Sequence, residues 1–539
     1  MSGSITLENR FGVNKMELIS LKYAIFVIVL LVLYYCFPKK YRWYVLLAGS
    51  MAYYVIICKW YVLFIIFTIC TTYGSTIWID KLLKKQNAIV KSHKEDWDRQ
   101  TRKEYKEKGR KKRVAVMLFA LLCNFGILAF LKYIPYAGEL GLLLPLGISF
   151  YTFQSMGYVM DVYREIVEPE KNFLKVALFV SFFPQIIQGP IAIYDKLARQ
   201  LYEGHSLRLE NLQKGALLVL WGVMKKLVIA DRAVNIINFV MDKPMDFSGT
   251  YVFFVAVVYA LQLYADFSGG IDIVRGIAEM FGITMSTNFN HPYFSRSLTE
   301  YWHRWHMTLG DWCRNYIFYP LSISKRFLNF GKWLKPRFGA HISKVLPGCI
   351  ASVITFIVIG VWHGANMKYL YFGLWNGIVI MLAELFAPVN KKVAGGFFKL
   401  TGLREKGIFA TIVSVLWTFM LILVGYYFDI AANASTAFHM LFKSVTDFHI
   451  SELGINNIIL NLGACGLDEY DILLLIICTL LWFFISFVEE NKKLDMRDFI
   501  LSRKLPLRWA IIYLGIFIVI IFGYYGPGVN PADFVYMQF

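Results

Sequence analysis

The chain is divided into long apolar runs that are separated by short polar segments. The first run extends from Leu18 to Phe37, and later runs such as 345–366 and 509–526 have similar lengths. About 20 mainly apolar residues are enough for a helix to cross the hydrocarbon core of a bilayer. Hydrophobic residues make up 57% of the chain and charged residues only 17%, whereas soluble domains are less apolar and more charged. The sequence therefore predicts an all-α polytopic membrane protein with about 12 transmembrane helices.

The charged residues indicate how these helices are oriented. The net charge is +19, and the segment 80–113 alone carries 14 Lys and Arg residues against 6 Asp and Glu residues. The segment 430–470 has the opposite bias, since Lys443 is its only basic residue beside four acidic ones. By the positive-inside rule, 80–113 is a cytoplasmic helical loop, 430–470 is extracytoplasmic, and both termini are extracytoplasmic. We attribute the positive charge to the cytoplasmic loops of a membrane protein and to their contact with the lipid bilayer, and we predict no nucleic-acid partner.

Two apolar segments are interrupted in ways that suit short or re-entrant helices. Leu144-Pro145-Leu146-Gly147 breaks one run, and the short segment Phe173–Gln188 ends in Gly189-Pro190. Such elements are tolerated in a membrane only where they are buried in protein or line a cavity. We therefore expect short and re-entrant helices around a central tunnel. The predicted parts are N-terminal helices in 1–139, a core in 140–390 and C-terminal helices in 391–539.

Three of the nine histidines are predicted to lie at membrane depth. His303 and His306 are three residues apart, so we predict that they share one helix face. A His-x-x-His pair can bind a metal, but no Asp or Glu lies at a spacing that completes a known ligand set. The eight cysteines are scattered and form no C-x-x-C pair. We predict no metal site and no disulfide framework.

His363 follows the long apolar run that begins near Val345. Helix geometry places it about 27 Å along that run, toward the outer side, while His306 stays toward the inner side. Ionisable groups at such depth are costly and face a bundle interior or a cavity. His363 could be a packing residue at a helix end, a proton relay of a transporter, or a general base in a tunnel.

Several blocks of the sequence, in order and spacing, resemble the membrane-bound O-acyltransferase family, in the branch that O-acetylates alginate or transfers D-alanine to teichoic acids. The blocks are Gln188-Gly189-Pro190-Ile191, Trp221-Gly222-Val223-Met224-Lys225-Lys226, Tyr264-Ala265-Asp266-Phe267, Asn288-Phe289-Asn290-His291-Pro292, Tyr301-Trp302-His303-Arg304-Trp305-His306 and Gly360-Val361-Trp362-His363-Gly364-Ala365-Asn366. The C-terminal Phe534-Val535-Tyr536-Met537-Gln538-Phe539 also fits.

The resemblance implies which residues form the site. It makes His363 and His306 the catalytic residues, whereas the family often has Arg in place of His303, so His303 is not expected to be essential. Matched motif residues are expected to line or brace the tunnel, and three basic residues could contact donor phosphates. The expected tunnel residues are Tyr264, Asp266, Trp302, Arg304, Trp305, Trp362 and Asn366; the basic residues are Lys225, Lys226 and Arg232.

The resemblance also implies an activity and its partners. The family passes an acyl group from a cytoplasmic thioester to a hydroxyl on the far side of the membrane. We expect acetyl-CoA as co-substrate with no bound cofactor, an extracytoplasmic glycan as final acceptor, and a secreted or membrane-anchored partner of the SGNH-esterase type. The expected location is a bacterial cell membrane. D-alanyl transfer to teichoic acid, a proton-coupled transporter or flippase for glycan precursors, and a non-catalytic scaffold remain the alternatives.

Overall fold

The computed structural model describes residues 16–134, 138, 141, 142, 144–401, 404, 407–454, 457, 463–526 and 534. Helices form most of this part of the chain, and no strand occurs within it. The helices are α1 Leu21–Cys36, α2 Arg42–Cys58, α3 Val62–Ser92, α4 Arg99–Tyr133, α5 Ile148–Tyr163, α6 Phe173–Ser181, α7 Phe183–Gln188, α8 Tyr194–Tyr202, α9 Leu209–Met224, α10 Asp231–Asp242, α11 Gly249–Met280, α12 Leu298–Arg304, α13 Met307–Cys313, α14 Tyr319–Ser322, α15 Lys325–His363, α16 Met367–Leu385, α17 Ala387–Thr401, α18 Ile408–Ile430, α19 Ala434–Thr446, α20 Glu469–Lys492, α21 Met496–Leu501 and α22 Leu505–Phe522.

The all-α class is confirmed, whereas the count of about 12 transmembrane helices is not. Within the described residues, seven helical segments are long and apolar enough to cross a membrane, or eight if the bent pair α16 and α17 forms one span. The difference arises because several apolar runs fold as short or broken helices, and because the segment Lys39–Ser92, which contains both α2 and α3, counts once. The run that begins at Gly215, for example, is α9, a π-helix over Lys225–Ala230, and α10. The seven segments are Lys39–Ser92, Arg99–Tyr133, Gly249–Met280, Lys325–His363, Ile408–Ile430, Glu469–Lys492 and Leu505–Phe522.

The chain divides into two compact units. The first comprises Met1–Val219 and Ile273–Ser286. In this unit α3, α4 and α5 pack against one another, and α6 packs on α2. The basic segment 80–113 is helical, as predicted, because α3 continues to Ser92 and α4 begins at Arg99. The Asp98 carboxylate caps α4 by accepting the N–H of Thr101 at 2.9 Å, which satisfies a backbone donor that has no partner inside the helix.

The second unit comprises Leu220–Asp272 and Thr287–Phe539. Its closest helix pair is α15 and α16. A Cβ atom at Gly360 would lie 2.3 Å from the carbonyl oxygen of Tyr369, and one at Gly373 would lie 2.3 Å from that of Phe356. Only glycine allows the backbones to approach this closely. The contact brings the end of α15, where His363 lies, against the first turns of α16.

Some sequence predictions remain predictions. The three-part division at 139 and 390, the central tunnel and the extracytoplasmic termini are of this kind. Residues 1–15 and five of the last six residues lie outside the described part of the chain, and of the C-terminal block only Phe534 is described.

Candidate active site

The backbone turns sharply at His306. α12 ends at Arg304, Trp305 is extended, and His306 has φ 44° and ψ 51° before α13 begins at Met307. A positive φ is uncommon for a residue other than glycine and marks local strain, which is often found at functional sites. The prediction that His303 and His306 share one helix face is therefore wrong. The helix breaks between them, and the Nδ1 atom of His303 accepts a hydrogen bond from Arg314 at 3.3 Å.

Asn288 holds His306 in this conformation. The Asn288 side-chain oxygen accepts the backbone N–H of Thr308 at 3.1 Å and its hydroxyl at 2.9 Å, and these donors fix which end of the amide is the oxygen. The same oxygen lies 3.2 Å from Nδ1 of His306, so Nδ1 carries the hydrogen and donates. The Asn288 carbonyl also accepts the N–H of Met307 at 2.9 Å. In the neutral ring, Nε2 is then the proton acceptor.

His306 lies in a segment of short helices outside the candidate spans, and only 2% of it is exposed. Burial lowers the pKa of His306 below its ordinary value, because the charged imidazolium loses its hydration. The imidazole is therefore neutral at physiological pH, as a proton acceptor requires. Its ring meets Phe267 edge-on, with 4.9 Å between ring centroids.

His363 is the last residue of α15 and is buried. Its ring is stacked on Tyr369, with 6.0 Å between ring centroids, and meets Phe372 edge-on at 5.6 Å. Trp362 contacts both histidines, with its ring centroid 4.9 Å from that of His363 and 6.4 Å from that of His306. Aromatic rings therefore fix the His363 imidazole.

His306 and His363 line one cavity in the second unit. The cavity is narrow, and its empty volume of about 460 Å³ includes the space open to solvent at its mouth. Its wall is mainly aromatic and aliphatic, with a few polar groups. The lining residues are Leu263, Tyr301, Trp302, Trp305, His306, Leu309, Ile359, His363, Phe372, Asn376, Ile422, Tyr426 and Asp429.

Two polar residues of the cavity wall are fixed by Trp302 and Tyr301. The indole N–H of Trp302 donates to the Asn376 side-chain oxygen at 3.0 Å, and the Asn376 amide donates to the Phe372 carbonyl at 2.9 Å. Because an amide nitrogen has two hydrogens, Asn376 can make one further donation. The hydroxyls of Tyr301 and Tyr426 lie 2.8 Å apart. Both residues thus present oriented polar groups in a mainly apolar cavity.

Two other predicted tunnel residues lie in or behind the cavity wall, and a third does not. Trp305 lines it, and Tyr264 packs behind Trp305 with 5.9 Å between ring centroids. Arg304 points elsewhere, since it pairs with Glu300 at 2.7 Å and with Glu490 at 3.0 Å.

Two predicted tunnel residues form a helix cap and an ion pair. Asn366 caps α16, where its side-chain oxygen accepts the N–H of Lys368 at 3.1 Å. Asp266 is fully buried and pairs with Lys226 at 2.7 Å. Their part in the tunnel stays a prediction.

The three basic residues proposed for donor phosphates are buried beside carboxylates. Lys225 pairs with Asp272 at 2.6 Å, and Arg232 pairs with Asp471 at 2.8 Å. Lys226 pairs with Asp231 at 2.8 Å as well as with Asp266. These ion pairs offset the cost of burying the charges. Contact with donor phosphates stays a prediction.

Sequence reasoning missed several residues of the site, including four polar ones besides Tyr426. Asn288 and Tyr301 stand in motifs that were recognised, but nothing marked them as the partners of His306 and Tyr426. Asn376 and Asp429 lie beyond those motifs, although Asp429 is an ionisable residue at the end of an apolar run, and such residues are candidates for functional sites. Within the described residues, no group of three or more His, Cys, Asp or Glu side chains could hold a metal ion.

Comparison with known proteins agrees with the motif resemblance. Residues 169–335 match the family model described as MBOAT, the membrane-bound O-acyltransferase family. The chain is 30% identical over 315 residues to the probable alginate O-acetylase AlgI of Pseudomonas syringae pv. tomato. The matched region covers 58% of this chain and 54% of that protein. It is 30% identical over 314 residues to the peptidoglycan O-acetyltransferase of Helicobacter pylori, covering 51% of this chain and 56% of that protein.

A third relative transfers a different acyl group, according to its name. The chain is 26% identical over 288 residues to the teichoic acid D-alanyltransferase of Bacillus subtilis, covering 52% of this chain and 67% of that protein. The chain thus spans a little over half the length of the two O-acetyl relatives. These matches confirm the resemblance to the membrane-bound O-acyltransferases and to this branch of the family.

Proposed function

We propose that this chain, whose residues 169–335 match the membrane-bound O-acyltransferase family, moves an acyl group from a thioester donor to a hydroxyl of an extracytoplasmic polysaccharide. The observation that carries the proposal is the cavity that both His306 and His363 line. A membrane protein rarely buries two imidazoles in one apolar cavity unless they take part in its chemistry. The names of the three relatives, all acyltransferases, support the same reaction class.

The reaction needs a base for the acceptor hydroxyl, and we assign this role to His363. Its imidazole takes the proton as the hydroxyl oxygen attacks the thioester carbonyl carbon. The tetrahedral intermediate then collapses, the carbon–sulfur bond breaks, and the leaving thiolate takes the proton back from His363. A new ester and a free thiol result, so that atoms and charges balance.

His306 suits a role as acceptor of a hydrogen bond. Its Nδ1–H donates to Asn288 at 3.2 Å, so neutral Nε2 offers a lone pair rather than a hydrogen. Nε2 can orient the acceptor hydroxyl or the thiol end of the donor. A neutral His306 in this tautomer cannot donate to a developing oxyanion.

The oxyanion needs a different donor, and Asn376 is the best candidate. Its oxygen is held by Trp302 at 3.0 Å and one of its amide hydrogens by the Phe372 carbonyl, so the second amide hydrogen is oriented before substrate binds. Preorganised donors of this kind typically contribute about 100- to 1,000-fold to the rate.

The most specific form of the proposal is acetyl transfer. We propose acetyl-CoA on the cytoplasmic side as donor, a cell-surface glycan as final acceptor, and a partner of the SGNH-esterase type for delivery outside. The two O-acetyl relatives support acetyl rather than another acyl group. D-alanyl transfer to teichoic acid is the second candidate, favoured by the similarity to the Bacillus subtilis protein.

Labelled thioesters test the proposal directly. The purified protein in liposomes receives acetyl-CoA labelled in the acetyl group or, separately, a labelled D-alanyl carrier thioester. Release or transfer of the label should be lost in His363→Ala by about 100-fold or more. His303→Ala is the matched control, because His303 is near in sequence but does not line the cavity.

The outcomes separate the candidate functions. Consumption of acetyl-CoA alone supports acetyl transfer, and consumption of the D-alanyl thioester alone supports the second candidate. Proton-coupled glycan flux without thioester cleavage would reject both in favour of a transporter. Mass spectrometry of surface glycans from cells with and without the protein then identifies the acceptor. If glycan acylation persists in His363→Ala cells, the chain is a scaffold rather than the enzyme.

A further inference from the structure

Asp429 brings a carboxylate into the cavity that holds both histidines. It lies near the end of α18, three residues after Tyr426, so both side chains project from the same face of the helix. Asp429, Tyr426, His306 and His363 all line the cavity. Asp429 is partly exposed there rather than fully buried. A carboxylate at the end of a predicted membrane span is costly, and it therefore calls for a specific role.

Asp429 lies at the same end of the bundle as His363. The turn that follows His363 is tied to the end of α18 by two side chains. Asn366 donates to the carbonyl oxygen of Ala432 at 3.3 Å, and Lys368 donates to the carbonyl oxygen of Asp429 at 2.7 Å. In the predicted topology this is the extracytoplasmic end, from which the acceptor hydroxyl arrives.

The Asp429 carboxylate is held in place but retains capacity to accept hydrogen bonds. One of its oxygens, Oδ2, accepts the hydroxyl hydrogen of Tyr259 at 2.7 Å, and the Tyr259 ring meets Tyr426 edge-on with 5.6 Å between centroids. Lys368 donates its ammonium hydrogens to backbone carbonyls at the end of α18, and its charge also attracts the Asp429 carboxylate. A carboxylate offers about four lone-pair positions, and Tyr259 takes one of them among the described residues, so the group can accept further hydrogen bonds from a ligand.

The chemistry of this group restricts what can enter. A fixed carboxylate binds hydroxyl or ammonium donors and repels carboxylates and phosphates, and the repulsion is stronger in an apolar cavity than in water. In the cavity that the proposed base His363 also lines, it would hold a hydroxyl of the acceptor and disfavour an acceptor with a negative charge near that hydroxyl.

We propose that Asp429, oriented by Tyr259, binds the acceptor and selects neutral, hydroxyl-bearing groups over anionic ones. This inference deepens the proposed function and rests on it for the identity of the reacting hydroxyl. It also describes the immediate acceptor: a neutral sugar or an uncharged hydroxyl side chain of a partner protein, rather than a uronate ring or a phosphodiester.

A matched pair of probes tests the selection. A methyl hexoside and the corresponding methyl hexuronide differ only in one carboxylate, and both carry hydroxyls. Their binding to the purified full-length protein is measured by calorimetry, and their acetylation is measured in liposomes with labelled acetyl-CoA. The variants are Asp429→Asn, which keeps the shape and removes the charge, and Tyr259→Phe, which keeps Asp429 and removes the hydroxyl. Asp246→Asn, at an exposed position outside the cavity, is the control.

We expect the wild type to bind the neutral probe at least tenfold more tightly than the anionic one. Asp429→Asn should reduce this ratio about tenfold, mainly by raising KM for the neutral probe with little change in kcat. Tyr259→Phe should move the ratio in the same direction by a smaller factor. Hydrolysis of acetyl-CoA without any probe and discrimination between the probes should both stay at the wild-type level in Asp246→Asn, because Asp246 lies outside the cavity.

Other results overturn the inference. An unchanged binding ratio in Asp429→Asn would show a purely structural role, as would equal discrimination in all variants or a wild type that binds neither probe. A hydrolysis rate that falls as far as transfer would place Asp429 with the histidines instead. If no thioester is consumed by wild type, the proposed function fails, but the calorimetric ratio still decides whether Asp429 selects the ligand. Thermal unfolding checks that each variant is folded.

Discussion

Replacement of Asn288 by alanine should destabilise the protein and release His306. The Asn288 oxygen accepts three donors: the His306 ring N–H, and the backbone N–H and hydroxyl of Thr308. Asn288 is fully buried. The Thr308 hydroxyl can rotate toward another acceptor and the His306 ring can turn or change tautomer, but the backbone N–H of Thr308 cannot. A buried donor without an acceptor costs about 1–3 kcal/mol, so Asn288→Ala should lose at least about 1–3 kcal/mol.

The same change should reduce acyl transfer more than folding alone explains. Without Asn288, the ring of His306 can turn or carry its hydrogen on Nε2, so the nitrogen that carries the lone pair is no longer defined. Thermal unfolding in detergent measures the first effect, and thioester consumption by the folded fraction at low temperature measures the second. A folded Asn288→Ala protein with wild-type turnover would refute the account of His306.

Asn288→Asp separates stability from charge. A carboxylate keeps an acceptor for all three donors, so the variant should unfold closer to wild type than Asn288→Ala does. Its negative charge raises the pKa of His306, opposing the effect of burial. Because neutral His306 is the proposed active form, the acid limb of the pH–rate profile should move to higher pH. An unshifted profile would mean that protonation of His306 does not limit the reaction.

Three further changes probe the frame of the site. Lys226→Met leaves its two carboxylate partners without their cation and should cost about 3–5 kcal/mol, measured by thermal unfolding. Gly360→Ala should lower both stability and turnover, because its Cβ would clash with α16. The control is Gly348→Ala on the same helix, whose Cβ meets nothing within 4 Å and which should be neutral or slightly stabilising. Equal losses in the two variants would contradict the packing argument. Trp302→Phe removes the indole N–H that donates to the Asn376 side-chain oxygen. It should lower the free energy of unfolding by about 1–3 kcal/mol and kcat about tenfold.

The sequence predicts the helical class well, because the length of an apolar run shows directly whether that segment can lie in the lipid bilayer. Runs near 20 residues have few other folds in a bilayer. Run length does not reveal where a helix breaks. The stretch from Gly215 to Val240 has the composition of a span, yet a π-helix over Lys225–Ala230 directs Lys225 and Lys226 into buried ion pairs. The span count therefore differs from prediction where local geometry and charge pairing decide the structure.

The candidate site was predictable where its residues lie in one motif and unpredictable where they converge from distant parts of the chain. Trp302, Trp305 and His306 come from a single block, and their grouping in the cavity needed only that block to fold locally. Asp429 reaches the same cavity from α18 because Tyr259 and Lys368 hold the end of that helix. These contacts join residues about 60 to 170 positions apart, and no periodicity in a single sequence encodes such a pairing.

The break at His306 shows why local pattern reasoning fails at this point of the chain. A spacing of three residues favours one helix face for His303 and His306, and nothing in the block from Trp302 to Met307 forbids a helix. The left-handed backbone of His306 persists because Asn288 binds both sides of it, through its side chain to the ring and through its carbonyl to Met307. These contacts offset the cost of the strained conformation. The sequence blocks that contain Asn288 and His306 therefore act as one structural unit. A chain with the histidine but without the asparagine should form a continuous helix at this point, which would withdraw the imidazole from the cavity.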